Sequence, residues 1–317
     1  MNMKFDFESA EKSLEGLVSR TPTLFSADLT ERIGSDVYLK PENLQVTGSF
    51  KIRGAANRMV TLTEEEKARG VITASSGNHG KAVAYMASRM SIPATICVPG
   101  WIDPLKYKDM EANGARILLI GETYDEADRQ AHELKKRESL TFIHPFDDPL
   151  VIAGQGTVGL EVIRDIPNLS EILIPLSGGG LAGGIACAIK TAGSIAMVTA
   201  VSADQATVML ESIKSGGPVE MKDNNTLASA LLGGIGLDNR YSFNLVRNYV
   251  DRHLTVSEKD IAMAMDYAAR ELHMVVEGGG AVALAAILTK DWNSENPGKP
   301  IAIVLSGGNV SSDYFMM

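Results

Sequence analysis

The 317-residue chain is short of several things, and each shortage removes a class of function. It holds two cysteines, Cys97 and Cys187, both inside apolar runs. Two thiols cannot build a disulfide framework, so buried free thiols in a reducing compartment are expected. Its five histidines include no H-E-x-x-H pair, which leaves a zinc protease site without support. There is no G-x-S-x-G elbow for a hydrolase serine. Positive charge is in deficit, with a net −9, so no basic face for nucleic acid or an anionic membrane is expected. No apolar run approaches the roughly 18 residues of a membrane span. The opening "MNMKFDFESAEKSLEG" is acidic and has no apolar stretch of the signal-peptide kind. A cytoplasmic location is the expectation. Internal repeats, heptads and low-complexity linkers are also missing.

What is present is a strand–helix alternation. "VYLK" (37–40), "VITAS", "ATICV", "ARILLI" and "TFIH" read as short strands, as do "EILIPL", "AMVTAVS", "HLTVS" and "PIAIVLS". Between them lie helical patterns, among them "FKIRGAANRMVTL", "HGKAVAYMASRM" and "SEKDIAMAMDYAAREL". Ser257 with Asp260, and Thr63 with Glu66, have the spacing of capping boxes. Such alternation predicts an α/β chain with parallel sheets covered on both faces, and ligands at the strands' C-terminal ends. A soft boundary falls near 145–150, at "HPFDDP".

Three loops after strands are built almost wholly of small residues: "SSGNHG" (75–80), "SGGGLAGG" (177–184) and "SGGN" (306–309). Small residues expose backbone N–H groups and let a ligand approach closely. Where such a loop opens a helix, anionic groups are the natural guests. "EGGGA" (277–281) is ambiguous between such a loop and a corner between helices. Lys51, in "QVTGSFKIRGA" (45–55), falls in the first turn of a helical pattern. The positive helix end and burial both disfavour an ammonium there, and a neutral amine can form a Schiff base or act as a base. The plain alternative is a solvated lysine beside a solvated Arg53.

A dinucleotide site competes for the second loop. Gly178, Gly180 and Gly183 form G-x-G-x-x-G after a strand, and Asp204 follows about twenty residues on, the arrangement of a nicotinamide oxidoreductase. A second match at Gly154, Gly156 and Gly159 lies inside a helical pattern and shows how cheap the motif is. A non-catalytic small-ligand binder would need the loops but would have no use for a desolvated lysine.

Taken together, "LKPENLQVTGSFKIRGA", "SSGNHG", "HPFDDPLVIAGQGTVGLEV", "IPLSGGGLAGGI" and "VLSGGNV" resemble, in order and almost end to end, the fold-type II pyridoxal-phosphate enzymes of the threonine/serine dehydratase and serine racemase group. That resemblance implies two open, twisted, mainly parallel sheet domains of the tryptophan synthase β-like kind. It places a large domain at 1–54 plus 148–317 and a small one at 55–147. It implies that Lys51 holds pyridoxal 5′-phosphate, with Phe50 beside the ring and Asn78 bonded to its 3′-oxygen. The backbone of Gly178, Gly179, Gly180 and Leu181 would cradle the phosphate. Ser306 would face the pyridine nitrogen and Glu277 would stand near the ring. Ser75, Ser76, Gly77 and His79 would bind the substrate carboxylate, with Ser76 the opposite-face acid/base of racemase relatives. The implied reaction removes water from a small β-hydroxy amino acid, threonine or serine by default, to give a 2-oxo acid and ammonia. The implied assembly is a homodimer acting on a small amino-acid substrate.

The chain departs from the pattern at named positions. Ser177 opens the glycine loop where relatives have a fourth glycine. Ser202 and Val208 align with the ligands of a metal site in some relatives, so no metal is expected. "TLASALLGGIGLDNRYSF" and "VVEGGGAV" resemble the hydroxyectoine-utilisation dehydratase branch, although Ser229 replaces an aspartate expected there. The branch dehydratase, and then serine racemase, are the alternatives within the family. The chain ends soon after "SGGN", which leaves no room for a C-terminal regulatory domain of the feedback-inhibited kind.

Overall fold

The computed structural model describes residues 5–222, 224–289, 292–293 and 296–311. Its strands fall into two sheets. The larger uses β1 (Leu24–Phe25), β2 (Val37–Pro41), β7 (Glu171–Pro175), β8 (Met197–Ala203), β9 (Arg252–Val256) and β10 (Ile301–Leu305), in the order β1-β2-β10-β7-β8-β9. Only β1 runs antiparallel. The smaller is wholly parallel and uses β3 (Val71–Ala74), β4 (Ala94–Val98), β5 (Arg116–Leu119) and β6 (Thr141–Phe142), in the order β5-β4-β3-β6.

The helices are α1 (Phe7–Leu14), α2 (Ala27–Ile33), α3 (Lys51–Val60), α4 (Glu64–Arg69), α5 (Asn78–Met90), α6 (Pro104–Ala112) and α7 (Tyr124–Glu138), followed by α8 (Pro149–Asp165), α9 (Gly180–Thr191), α10 (Val208–Ser215), α11 (Ser242–Tyr249), α12 (Glu258–Arg270) and α13 (Gly278–Leu288). The central strands β3, β4, β7 and β10 are buried at every position, which is why they read as continuous apolar runs rather than alternating ones. Side chains of α2, α12 and α13 form the core on one face of the large sheet, and those of α8, α9, α10 and α11 fill the other. Under the small sheet, Ile52, Ala55, Ala56 and Met59 of α3 pack with α5 and Met110, while α7 covers the opposite face. Among the described residues, no helix is long and apolar enough to cross a membrane.

Local sequence explains most of the helix starts. Thr63 with Glu66 and Ser257 with Asp260 form the expected capping boxes, and Thr123 with Glu126 forms a third. "EGGGA" is the start of α13, not a corner. Glycine is needed there for close approach: a Cβ on Gly280 would lie 2.4 Å from the Gly307 carbonyl oxygen. The second glycine motif sits in the middle of α8, where a Cβ on Gly156 would lie 2.4 Å from the Phe7 ring. Those glycines serve helix packing.

One charged group lies deep in the interior. Arg53 reaches Glu42 at 2.8 Å and Glu161 at 2.6 Å, and Lys40 reaches Glu161 at 2.6 Å. Thr21 and Thr157 add hydrogen bonds at 2.6 and 3.1 Å. Two cations and two carboxylates thus neutralise one another and tie β2, α3 and α8 together. Arg53, open to a solvated reading in the sequence, is buried and fully paired.

Candidate active site

The C-terminal ends of β2, β10 and β7 in one sheet, and of β3 and β6 in the other, feed one cluster of loops. Lys51 is the first residue of α3, so its amine stands at the positive end of the helix. Its Nζ donates to the Pro145 carbonyl at 2.8 Å and lies 5.2 Å from the centre of the Phe50 ring. Among the described residues no carboxylate lies within ion-pair distance of it. Burial pulls the amine down to about 8, against a smaller opposing pull from Glu277.

The acceptor for Lys51 belongs to a strap, His144 to Asp148, that sequence suggested only as a boundary. His144 Nδ1 accepts from the Phe146 and Asp147 amides at 3.2 and 2.7 Å, which folds the strap into a turn. Burial holds His144 down to about 4, so it is neutral at ordinary pH. Phe146 lies against the glycine loop: a Cβ on Gly178 would meet its ring at 2.6 Å. The Asp147 carboxylate accepts from the backbone N–H groups of Arg240, Tyr241 and Ser242, each at 2.8 Å, and so caps α11 from a distance. Asp148 caps α8. Four consecutive residues therefore fix Lys51, the glycine loop and two helices.

Helix starts divide into two kinds. α1, α2, α4, α6, α7, α8 and α12 are capped by their own N-cap side chains. α10 and α11 have no bond from their own N-cap side chain, and neither do α3, α5, α9 and α13, which begin at the loop cluster. The first N–H groups of these last four are left for something else. At α9 the loop Ser177-Gly178-Gly179-Gly180 turns through Gly179 at φ +83°. Ser177 Oγ donates to the Leu231 carbonyl at 2.8 Å, and the Leu181 side chain is buried in the core beneath, which leaves its backbone toward the loop.

Opposite, Phe50 N donates to the Ser306 carbonyl at 3.1 Å, and Ser49 bridges Gly307. Ser306 is buried. Glu277, the N-cap of α13, is buried and pushed up to about 7, with burial the main cause. Asn78 Nδ2 donates to its Oε1 at 2.5 Å. The 75–79 turn is half-buried apart from His79, whose Nε2 meets the Ile143 carbonyl at 2.9 Å and which burial holds down to about 3. Gly77 N donates to Ser75 Oγ at 3.3 Å, and Ser76 stands partly exposed in the same turn.

These contacts join Lys51, Phe50, Ser306, Asn78 and Glu277 in one place, with the Gly178–Gly180 loop attached through the strap and His79 through Ile143. Thr47 Oγ1, Ser49 Oγ, His79 Nδ1 and both amide atoms of Gln155 are buried with no hydrogen-bond partner among the described residues. Gln155 lies between Gly54 of α3 and Gly180 of α9. Unpaired buried polar atoms are rare, and here they ring the start of α3. Pro145, Phe146, Asp147 and Gln155 were not singled out in the sequence. The dense polar–aromatic run "HPFDDP" was the available signal for the first three, and an isolated polar residue in the apolar α8 was the signal for the last.

The family described as "Pyridoxal-phosphate dependent enzyme" matches residues 14–307. An L-threonine ammonia-lyase of Thermotoga maritima is 40% identical over 305 residues, covering 96% of this chain and 75% of that protein. The structure of maize serine racemase superposes with a TM-score of 0.92 at 32% identity, covering 98% of this chain and 94% of the other. The processed form of threonine deaminase isoform 2 from Solanum lycopersicum does so with a TM-score of 0.88 at 31% identity, covering 98% and 87%.

Proposed function

The chain belongs to the pyridoxal-phosphate-dependent enzyme family and is a lyase of it, and on that premise we propose that it removes water from L-threonine, with L-serine as second substrate, to give a 2-oxo acid and ammonia. One observation carries the proposal: a buried lysine amine at the start of a helix that meets a neutral carbonyl and, among the described residues, has no carboxylate within ion-pair distance.

The residues fit the cofactor. A flat ring with an aldehyde and an anionic tail asks for a neutral amine, free N–H groups and unpaired polar atoms. Lys51, the uncapped start of α9, and the unpaired Ser49, His79 and Gln155 atoms supply these. Lys51 would hold the cofactor covalently. Gly178, Gly179, Gly180 and Leu181 would hold the phosphate, Phe50 and Asn78 would flank the ring, Glu277 would stand close by, and Ser306 would meet the pyridine nitrogen. When bound, the cofactor supplies an electron sink for the substrate's Cα.

The chain's own work follows from its groups. Ser75, Ser76 and Gly77 lead into an uncapped helix whose first turn holds His79, so the substrate carboxylate would meet N–H groups rather than water. Lys51, with its amine near 8, is neutral often enough near neutral pH to take the Cα proton as a base. Ser306 can share a hydrogen bond but carries no charge, so it does not draw electron density away from Cα as an aspartate would promote. Loss of the β-hydroxyl is then favoured over transamination. Ser76, partly exposed, is the group through which a minor racemase activity would run. A division into 1–54 plus 148–317 and 55–147, a homodimer and a cytoplasmic location belong to the same proposal.

The test is a panel of substrates with the purified holoenzyme. Formation of 2-oxobutyrate from L-threonine, with weaker pyruvate formation from L-serine, is the expected result. Turnover of hydroxyectoine or its ring-opened derivatives alone would overturn the substrate assignment. Borohydride should fix the cofactor to wild-type protein but not to Lys51→Ala.

A further inference from the structure

Five polar side chains form a continuous chain from the surface to the buried carboxyl beside Lys51. Asp109 of α6 pairs with Lys81 of α5 at 2.9 Å. Lys81 Nζ donates to Asn309 Oδ1 at 3.0 Å. Asn309 Nδ2 donates to Asn78 Oδ1 at 2.7 Å and to the Thr47 carbonyl at 2.9 Å. Asn78 Nδ2 donates to Glu277 Oε1 at 2.5 Å. Lys81, Asn309 and Asp109 take no part in the cofactor and substrate contacts proposed above.

The direction of every bond in this chain is set from one end. An ammonium has donors only, so the atom of Asn309 that faces Lys81 must be the oxygen. The amide's N–H groups then face Thr47 and Asn78. Asn78 must in turn present its oxygen to Asn309 and its N–H to Glu277. We infer that Lys81 is a positioning residue that acts through Asn309 and Asn78 to keep a donor, and a share of positive charge, directed at Glu277. It thereby sets the pH at which that carboxyl holds its proton. This rests on the proposal that Glu277 stands at the reacting centre.

The relay joins elements of the two sheets, since Lys81, Asn78 and Asp109 follow strands of the small sheet and Asn309 and Glu277 border β10 and α13 of the large one. The cations acting on Glu277 are Lys106 of α6, Lys81 of α5 and Lys51 of α3. Among these, and among the described residues, Lys81 alone reaches it through a hydrogen-bonded path. Its side chain is 28% exposed and stands at the surface end of the chain.

The experiment follows the carboxyl stretch of Glu277 in the holoenzyme by isotope-edited infrared difference spectroscopy across pH, assigned by its loss in Glu277→Gln. The kcat/KM profile is recorded on the same samples. Lys81→Met, which removes charge and donor, should raise the Glu277 midpoint by about one pH unit, a tenfold change in proton affinity. Lys81→Arg should restore it, and Lys81→Gln, which keeps a donor without charge, should fall between. An unmoved midpoint in Lys81→Met, with Glu277 still titrating near 7, overturns the relay alone. A Glu277→Gln enzyme whose pH profile matches wild type overturns the role of Glu277, and the relay with it.

Discussion

Lys40 and Lys51 lie eleven positions apart, at the end of β2 and the start of α3, and both have buried amines. Lys40 Nζ has the Glu161 carboxylate at 2.6 Å and the Thr21 carbonyl at 2.7 Å. Lys51 has one neutral acceptor, the Pro145 carbonyl. Burial penalises a cation in both places. Lys40 is held in an ion pair with a carboxylate, while among the described residues Lys51 has none within ion-pair distance and its amine is lowered by burial to about 8. The partner, more than the burial, separates scaffold from chemistry.

The comparison can be broken by substitution at each site. Lys51→Ala should lower turnover by about 10⁴-fold, the upper range for loss of a positioned base, with its thermal midpoint kept. Steady-state kinetics beside thermal unfolding would check this, and loss of the folded state would contradict it. Lys40→Ala should do the reverse. It strips one cation from the buried quartet, at a cost of about 3–5 kcal/mol of stability measured by urea unfolding. Gly178→Ala places a Cβ against the Phe146 ring and should weaken cofactor binding by about tenfold or more, read from cofactor titration of stripped protein.

Two pH experiments sharpen the contrast. In cofactor-free protein the rate of covalent capture should rise with pH to a midpoint near 8, the value to which burial lowers Lys51, and not near 10.5. His144 tests the strap. Its folded-state value, about 4, lies below the ordinary 6.5, so the unfolded chain takes up a proton first as pH falls. Its contribution to stability is full above about 6.5 and is lost between there and about 4. His144→Asn keeps an acceptor for the Phe146 and Asp147 amides without a proton site, so the acid limb of the stability curve should flatten over that window. His79 loses stability in the same direction, while Glu277, raised to about 7, works against it between about 4.5 and 7. Both contributions are common to wild type and His144→Asn, so the difference between the two stability curves reports His144.

Much of this molecule was legible before any coordinate. Strand runs such as "ATICV" and "IAIVL", the capping boxes at Thr63 and Ser257, and three small-residue loops at strand ends are local features, written by side-chain volume and backbone hydrogen bonding over a few neighbouring residues. They sufficed for an α/β fold with parallel sheets and for the strand-end loops at which the ligand is proposed to sit. The start of α13 was obscured because three successive glycines lower helix propensity, and only contact with Leu227 and Gly307 explains them. The strap 144–148 was hidden for a different reason. Its purpose lies in partners 94 to 95 positions away in either direction, from Lys51 to Tyr241 and Ser242.

The sequence by itself determined which residues could do chemistry: one lysine opening a helix, glycines that leave N–H groups bare, and serines and an asparagine at strand ends. Tertiary structure alone decided that the Lys51 amine would be buried against a neutral carbonyl and lowered to about 8. A pKa depends on which groups lie within a few ångströms, and that distance is set by folding rather than by neighbours along the chain.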